Sequence, residues 1–553
     1  MPNGADLAAR SALCALALCV SFPARAKPAE DLPRLVLLLA VDQLRADRLG
    51  AELPGGLGRL VREGRLYVDA ALGHAVTDTC AGHSTMLTGR HPSRTGIPGN
   101  DFIGEAGEES VYCVEDAGPD ARVFGAEEGR SPLHLRATAL GDWMKSARPG
   151  TRVFSVSGKD RAAILLGGKR PNAAYWLVRG RHAGFTTSRY YAAALPGWVT
   201  AFNEKLFDGL PATWTHEVAD GLPAPRVDDF PGESPEYERT SGHPLIDGDR
   251  ETSADQLYRT PYLDHVTLSF AVELIRNERL GRGPGPDLLA LSFSATDTVG
   301  HLYGPYSHES RDTLLRLDRE LGRFLEWLGH ELGSERLRVA LSADHGVLPL
   351  PEWLARSGRL ECPVDGGRAG LRMFVARLLW DLHAELSGVF AWPRQWLTFA
   401  GPHIAVRRTV ARQVGVPVEQ AIALVKARLE EQPAIARAWT AAEIRSGRGE
   451  LAELYRRSFV PGRSGDLVVQ LAPTCLISAS DYGTGHGSPY DYDRRVPLVF
   501  WGAGVEPAEV SGRAATVDIA PTLAAGLGIE IPADLDGRAL FEWPSRPSRA
   551  LSR

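Results

Sequence analysis

The chain has 553 residues, of which 44% are apolar and 24% charged, and its formal net charge is −6. The composition is that of an ordinary globular protein, and the length exceeds what a single hydrophobic core usually spans. The negative balance argues against a dedicated nucleic-acid or anionic-membrane binder, while leaving room for a local positive site.

The first signal in chain order is a leader. Arg10 precedes a short apolar run over residues 11–22, and Ala24-Arg25-Ala26 follows as a small-x-small cleavage site. Residues 1–26 therefore read as a signal peptide, and the mature chain as periplasmic or secreted. The run falls short of the roughly 20 apolar residues that a membrane span needs, so the plain alternative is a buried N-terminal helix. Bulky Leu18 before Cys19 argues against a lipoprotein signal. No later segment is apolar enough to span a bilayer. Cleavage would remove Cys14 and Cys19 and leave Cys80, Cys113, Cys362 and Cys475. An oxidising compartment allows these to form two disulfides in any of three pairings. They show no C-x-x-C spacing, so a cysteine-built zinc site is not expected.

Short aliphatic runs at 34–41, 152–157, 287–294, 338–342 and 496–501 predict buried strands. Helical periodicity lies between them, as in Leu314, Leu317, Leu321, Phe324 and Leu328 on one face. This alternation predicts an α/β fold, a mostly parallel central sheet flanked by helices. Residues 27–352 form the first part of that core, with a Gly-, Pro- and aromatic-rich insertion at about 172–259 expected to run as loops over the sheet. Residues 353–475 interrupt the alternation and read as an inserted cap with its own helix through Val418, Ile422, Val425 and Leu429. The core returns over 476–545, and 546–553 is a loose polar tail. Nothing in the sequence selects an oligomeric state.

Polar residues follow the strands: Asp42 the first, Lys159 and Arg161 the second, Asp297 and His301 the third, Asp344 and His345 the fourth. Ligands of open α/β sheets bind beyond the carboxyl ends of the strands, so these side chains should share one rim. Asp297 and His301 stand one helical turn apart and can face one ion. Asp344-His345 precedes Gly346 on a tight turn, and His486 is flanked by Gly485 and Gly487. Oxygen and nitrogen donors without thiolates suit catalytic zinc. Each piece alone has an ordinary explanation, such as a solvated helix face or a turn; their joint placement points to metal. Thr79 lies where a loop enters a helix, at the expected cap, where free N–H groups favour an anion. It reads either as a plain N-cap or as a nucleophile acidified by zinc.

Taken together these residues resemble the alkaline phosphatase superfamily, and specifically its PafA-type alkaline phosphatases. The match runs from about residue 34 to 531. It includes Val41-Asp42, Thr79-Cys80-Ala81-Gly82-His83-Ser84, Gly96-Ile97-Pro98-Gly99-Asn100 and Ser157-Gly158-Lys159-Asp160-Arg161. It continues through Asp297 to His301 with Gly304-Pro305, Asp344-His345-Gly346, Gly485-His486-Gly487 and the 517–523 segment. The resemblance implies two Zn2+ ions as cofactors, one on Asp297, His301 and His486, the other on Asp42, Asp344 and His345 with Thr79 as a further ligand. It also implies a covalent phosphothreonine, with Asn100, Lys159 and Arg161 contacting phosphate oxygens, and small-molecule phosphate esters as substrates.

Nucleotide pyrophosphatases/phosphodiesterases of the same superfamily share the ligand pattern and the threonine. A monoester dianion rewards the two cations Lys159 and Arg161, whereas a diester needs an apolar slot for its second substituent, so the expectation is a phosphate monoesterase. A sulfatase would need an arginine after the Cys80 region that is not there. The remaining alternative is a secreted metal- or phosphate-binding protein without turnover.

Overall fold

The first strand explains why the centre of this molecule can be read from sequence. β1 (Leu35–Val41) is apolar throughout and every residue is buried. Its odd positions, Leu35, Leu37, Leu39 and Val41, pack into one hydrophobic cluster, and Val36, Leu38 and Ala40 pack into another on the opposite face. A strand covered on both sides has no polar face to alternate with.

The computed structural model describes residues 32–543 except 105–106, 218–226, 364–372 and 391–394. The proposed leader (1–26) and tail (546–553) lie outside the described residues. β1 is joined by β2 (Arg65–Tyr67), β3 (Val153–Ser157), β4 (Ala173–Val178), β5 (Gly184–Thr186), β6 (Asp287–Phe293), β7 (Leu337–Ser342), β8 (Leu498–Gly502) and β9 (Ala508–Val510). Their order across the nine-stranded sheet is β9-β2-β8-β7-β1-β6-β3-β4-β5. The five from β7 to β4 run parallel, with Val41 level with Phe293 and Ala40 level with Ser342. β8 runs antiparallel between β2 and β7. The parallel strands thus end on one rim.

Two helices carry much of the site: α1 (Thr79–Met86) and α2 (Asp160–Gly167). Beyond β6 come α3 (Ala295–Tyr303) and the 25-residue α4 (His308–Leu332), which buries the leucine stripe from Leu314 to Leu328. A separate four-stranded antiparallel sheet is formed by Leu397–Ala400, His403–Val406, Leu467–Leu471 and Ile435–Thr440. With the helix Val418–Glu430 it encloses its own hydrophobic cluster.

One expectation needs correction. The segment at about 172–259 is not only loop, because β4 and β5 extend the main sheet from within it. The run Ala-Ala-Tyr-Trp-Leu-Val of β4 is buried except at its end, but its glycine- and proline-rich flanks conceal it. Of the three open cysteine pairings, the structure forms Cys80–Cys113 and Cys362–Cys475.

Asp264, in the helix Tyr262–Asn277, braces the start of α3 by accepting from the Ala295 N–H at 3.0 Å. Burial, opposed by backbone hydrogen bonds from Ala295 and Ser294, pushes its carboxyl up from 3.8 to about 7. Between those values the native protein keeps a proton that the unfolded chain has released. Stability therefore falls as pH rises through that window and levels off above it. Asp264→Asn keeps the acceptor and removes the ionisation. Its urea midpoint is expected to decline less than the wild type's between pH 4 and pH 7 (about one unfolded to one folded pKa); parallel declines would exclude Asp264 as the source.

Candidate active site

The rim gathers its polar residues within a few residues of the strand ends. Asp42 follows β1 directly, Lys159 lies two residues beyond β3, Asp297 sits in the first turn of α3 after β6, and Asp344 lies two residues beyond β7. Asp42, Asp344, His345 and Thr79 are all but inaccessible, and Asp297 and Lys159 nearly so.

Two sets of donors converge. The ligand atoms of Asp297, His301 and His486 lie within 4.8 Å of one another, and so do those of Asp42, Asp344 and His345. In the first, His301 Nε2 is 3.2 Å and His486 Nε2 3.8 Å from Asp297 Oδ1. In the second, His345 Nε2 is 3.3 Å from Asp344 Oδ2 and 3.5 Å from Asp42 Oδ1. The tautomers follow from the outer nitrogens. Nδ1 of His301, His345 and His486 faces the carbonyl oxygens of Thr484, Gly346 and Thr77 at 2.7, 2.9 and 2.8 Å. A carbonyl can only accept, so each Nδ1 carries the proton and each Nε2 presents a lone pair inward.

The electrostatics ask for cations. Asp42 Oδ1 and Asp344 Oδ2 are buried and accept no hydrogen bond among the described residues. Burial, with Asp297 and Asp344 nearby, pushes the Asp42 carboxyl well above the usual carboxylate range. Among the described residues the ammonium placed between these carboxylates is that of Lys159, whose Nζ donates to Asp42 Oδ2 and Asp297 Oδ2, both at 2.5 Å. Burial works against its charge, but Asp297 and Asp42 outweigh burial and hold it protonated. Three buried carboxylates and three inward imidazole lone pairs fit divalent metal of the zinc type.

Thr79 is the first residue of α1, not its cap; Asp78 holds the cap position. The capping explanation for Thr79 therefore falls away. Its Oγ1 stands 3.5 Å from His345 Nε2, one of the inward imidazole nitrogens. The Asn100 side-chain oxygen accepts from the Cys80 N–H at 2.9 Å, which leaves the amide nitrogen as a donor beside Thr79. Cys80 itself is bonded to Cys113, and next to Cys113 the Tyr112 hydroxyl contacts Arg161 Nη1 at 3.4 Å. Arg161 Nε is buried without a hydrogen-bond partner among the described residues. Burial opposes its charge, but Tyr112, Tyr258 and Asp160 more than compensate. The structure thus brings Asp42, Thr79, Lys159, Asp297, His301, Asp344, His345 and His486 into one cluster, with Asn100 at its edge through Cys80 and Arg161 close by through Tyr112.

Two residues contribute here to which the sequence assigned no role, Gln43 and the motif residue His83. Gln43 adopts a left-handed backbone, φ 68°, uncommon for a side chain of this kind. That turn lets its N–H donate to Asp344 Oδ1 at 3.1 Å and its Nε2 to Asp297 Oδ1 at 2.8 Å, so it ties one set to the other. His83, one turn after Thr79, bonds Thr79 O and Ser292 Oγ and lies 3.1 Å from Asp344 Oδ2. The neighbouring Gly82 allows this approach, since a Cβ there would sit 2.1 Å from the Asp344 carbonyl oxygen. Alongside the cluster lies a largely apolar cavity of about 320 Å3, bounded by Asp78, His486, Phe399, Ile404, Tyr455 and Leu476.

This sheet, with its Asp/His rim and helix-borne threonine, is the arrangement of the alkaline phosphatase superfamily. Within it, the chain belongs to the type I phosphodiesterase / nucleotide pyrophosphatase family, whose sequence profile matches residues 36–491. It is 36% identical to the alkaline phosphatase PhoK of a Sphingomonas species over 92% of this chain and 91% of that protein. It is 33% identical to the alkaline phosphatase PhoD of Zymomonas mobilis over 92% of this chain and 88% of that protein. The crystal structure of wild-type alkaline phosphatase PafA superposes with a TM-score of 0.84 at 27% identity, covering 93% of this chain and 99% of that one.

Proposed function

We propose that this protein is an alkaline phosphatase that hydrolyses phosphate monoesters outside the cytoplasm, with two zinc ions and Thr79 as nucleophile. The observation that carries the reading is the place of the Thr79 hydroxyl, buried on the first turn of a helix and 3.5 Å from His345 Nε2 of one donor set. Asp297, His301 and His486 would hold one ion and Asp42, Asp344 and His345 the other, with Thr79 a further ligand. When bound, the ions would supply positive charge for the attacking and leaving oxygens of an in-line displacement. The Thr79 oxygen forms a bond to phosphorus as the ester oxygen leaves, and water then cleaves the phosphothreonine to inorganic phosphate. The free N–H groups of α1 favour the anion there. Asn100 donates through its amide nitrogen, and Lys159 and Arg161 contact phosphate oxygens. Two disulfides and the small-residue site at Ala24-Arg25-Ala26 support an oxidising location.

A phosphodiesterase is the second reading, favoured by the apolar cavity beside His486, which could seat a second ester substituent. We assign that cavity to the leaving group. Comparing kcat/KM for phenyl phosphate and bis-phenyl phosphate separates the two readings. The monoester is expected to be the better substrate by at least about a hundredfold, some 3 kcal/mol of transition-state stabilisation. Parity or a preference for the diester would overturn the proposal.

A further inference from the structure

We infer that the protein carries a third zinc site, structural and separate from the catalytic cluster, built by His216, His243 and Glu309. His243 lies on a two-stranded ribbon, Thr213–Trp214 with His243–Pro244, in which it pairs with Trp214, and His216 lies just beyond that ribbon. Glu309 is the second residue of α4. No sequence spacing links the three; the fold alone brings them together.

The geometry is that of a metal site. His243 Nε2 and His216 Nε2 are 3.3 Å apart, and they lie 3.4 and 3.5 Å from Glu309 Oε1. Zinc bonds of about 2.0–2.1 Å at tetrahedral angles place ligand atoms about 3.3 Å apart, so one ion fits between the three. The protonation pattern agrees. His243 Nδ1 faces the Tyr237 carbonyl at 2.7 Å and must donate to it, which leaves Nε2 as a lone pair facing the other two groups. Glu309 is fully buried, and neither carboxylate oxygen accepts a hydrogen bond among the described residues. A buried carboxylate and two facing nitrogens in contact, without hydrogen bonds to satisfy the acid, is costly unless a cation occupies the space. Two imidazoles and one carboxylate with no thiolate select zinc over calcium or magnesium. Asp228 and His308, whose ligand atoms lie within 4.8 Å of that of His216, are the nearest groups for a fourth position.

The site's place in the fold gives it a task. It fastens the 213–244 ribbon to α4, where Trp214 Nε1 also donates to Asp312 Oδ2. The Tyr303 hydroxyl, at the end of α3, lies 3.3 Å from His243 Nδ1. α3 also carries Asp297 and His301, so the zinc staple steadies the helix that presents one catalytic donor set.

The direct test is an anomalous difference map at the zinc edge from crystals of the wild-type protein dialysed against low zinc. A peak bonded to His216, His243 and Glu309 is expected; no peak there, or one that follows another element's edge, overturns the inference. Counting bound zinc per chain by native mass spectrometry gives a second reading. Glu309→Gln, nearly isosteric, should hold one equivalent fewer than wild type, keep its phenyl phosphate turnover at low temperature and lose it at a lower temperature. Equal zinc counts in the two proteins would overturn the site whatever the effect on folding.

Discussion

Thr79→Ala is expected to lower kcat for phenyl phosphate by about four to six orders of magnitude, the scale seen when a covalent nucleophile is removed from a preorganised site. The Thr79 hydroxyl, at the start of α1, stands 3.5 Å from His345 Nε2. The neighbouring Asp78 is a half-buried carboxylate that lines the cavity and accepts from the Asn100 N–H at 3.3 Å, and it carries no hydroxyl to take over the role. Zinc content should be unchanged, because the six Asp and His donors remain. Acid quenching after a pulse of labelled monoester should trap phosphoenzyme in the wild type and none in the variant. Near-normal turnover, or label retained on the variant, would rule out Thr79 as nucleophile.

The double change Lys159→Ala, Arg161→Ala is expected to cost monoester turnover about a hundred- to ten-thousandfold, and diester turnover about tenfold. The estimate takes each cation as one charge-assisted contact worth about 1.5–3 kcal/mol, felt fully only by a dianion. Both side chains are held in place beforehand: Lys159 by Asp42 and Asp297, Arg161 by Tyr112. Lys159 also offsets carboxylate charge, so zinc content must be measured in parallel. If zinc stays bound and both substrates lose equally, the cations do not read the substrate's charge, and the monoester assignment loses its main support.

What could be read from sequence and what could not divides along physical lines. The parallel strands are uninterrupted apolar runs because both of their faces are covered, and a polar residue at the end of such a run stands out. Asp42, Asp297 and Asp344 were visible for that reason. β4 was hidden because glycine and proline flank it, although it lies inside the sheet between β3 and β5. Gln43 was invisible because its importance rests on a left-handed turn, which composition does not announce. The disulfide pairing depends on which loops the fold brings together, and so does the meeting of His216, His243 and Glu309.

The insertion of β8 between β2 and β7 has a consequence for biosynthesis. Both neighbours leave the ribosome long before residue 498, and each keeps an unpaired edge until the last part of the chain arrives. His486 also lies in this last part of the chain, ahead of β8 and separated from it by the short helix Asp491–Arg494, so one donor set is incomplete until then. A nascent chain stalled before this point would lack one donor and be prone to self-association, and the finished enzyme gains the middle of its sheet and its full set of donors only with the last part of the chain.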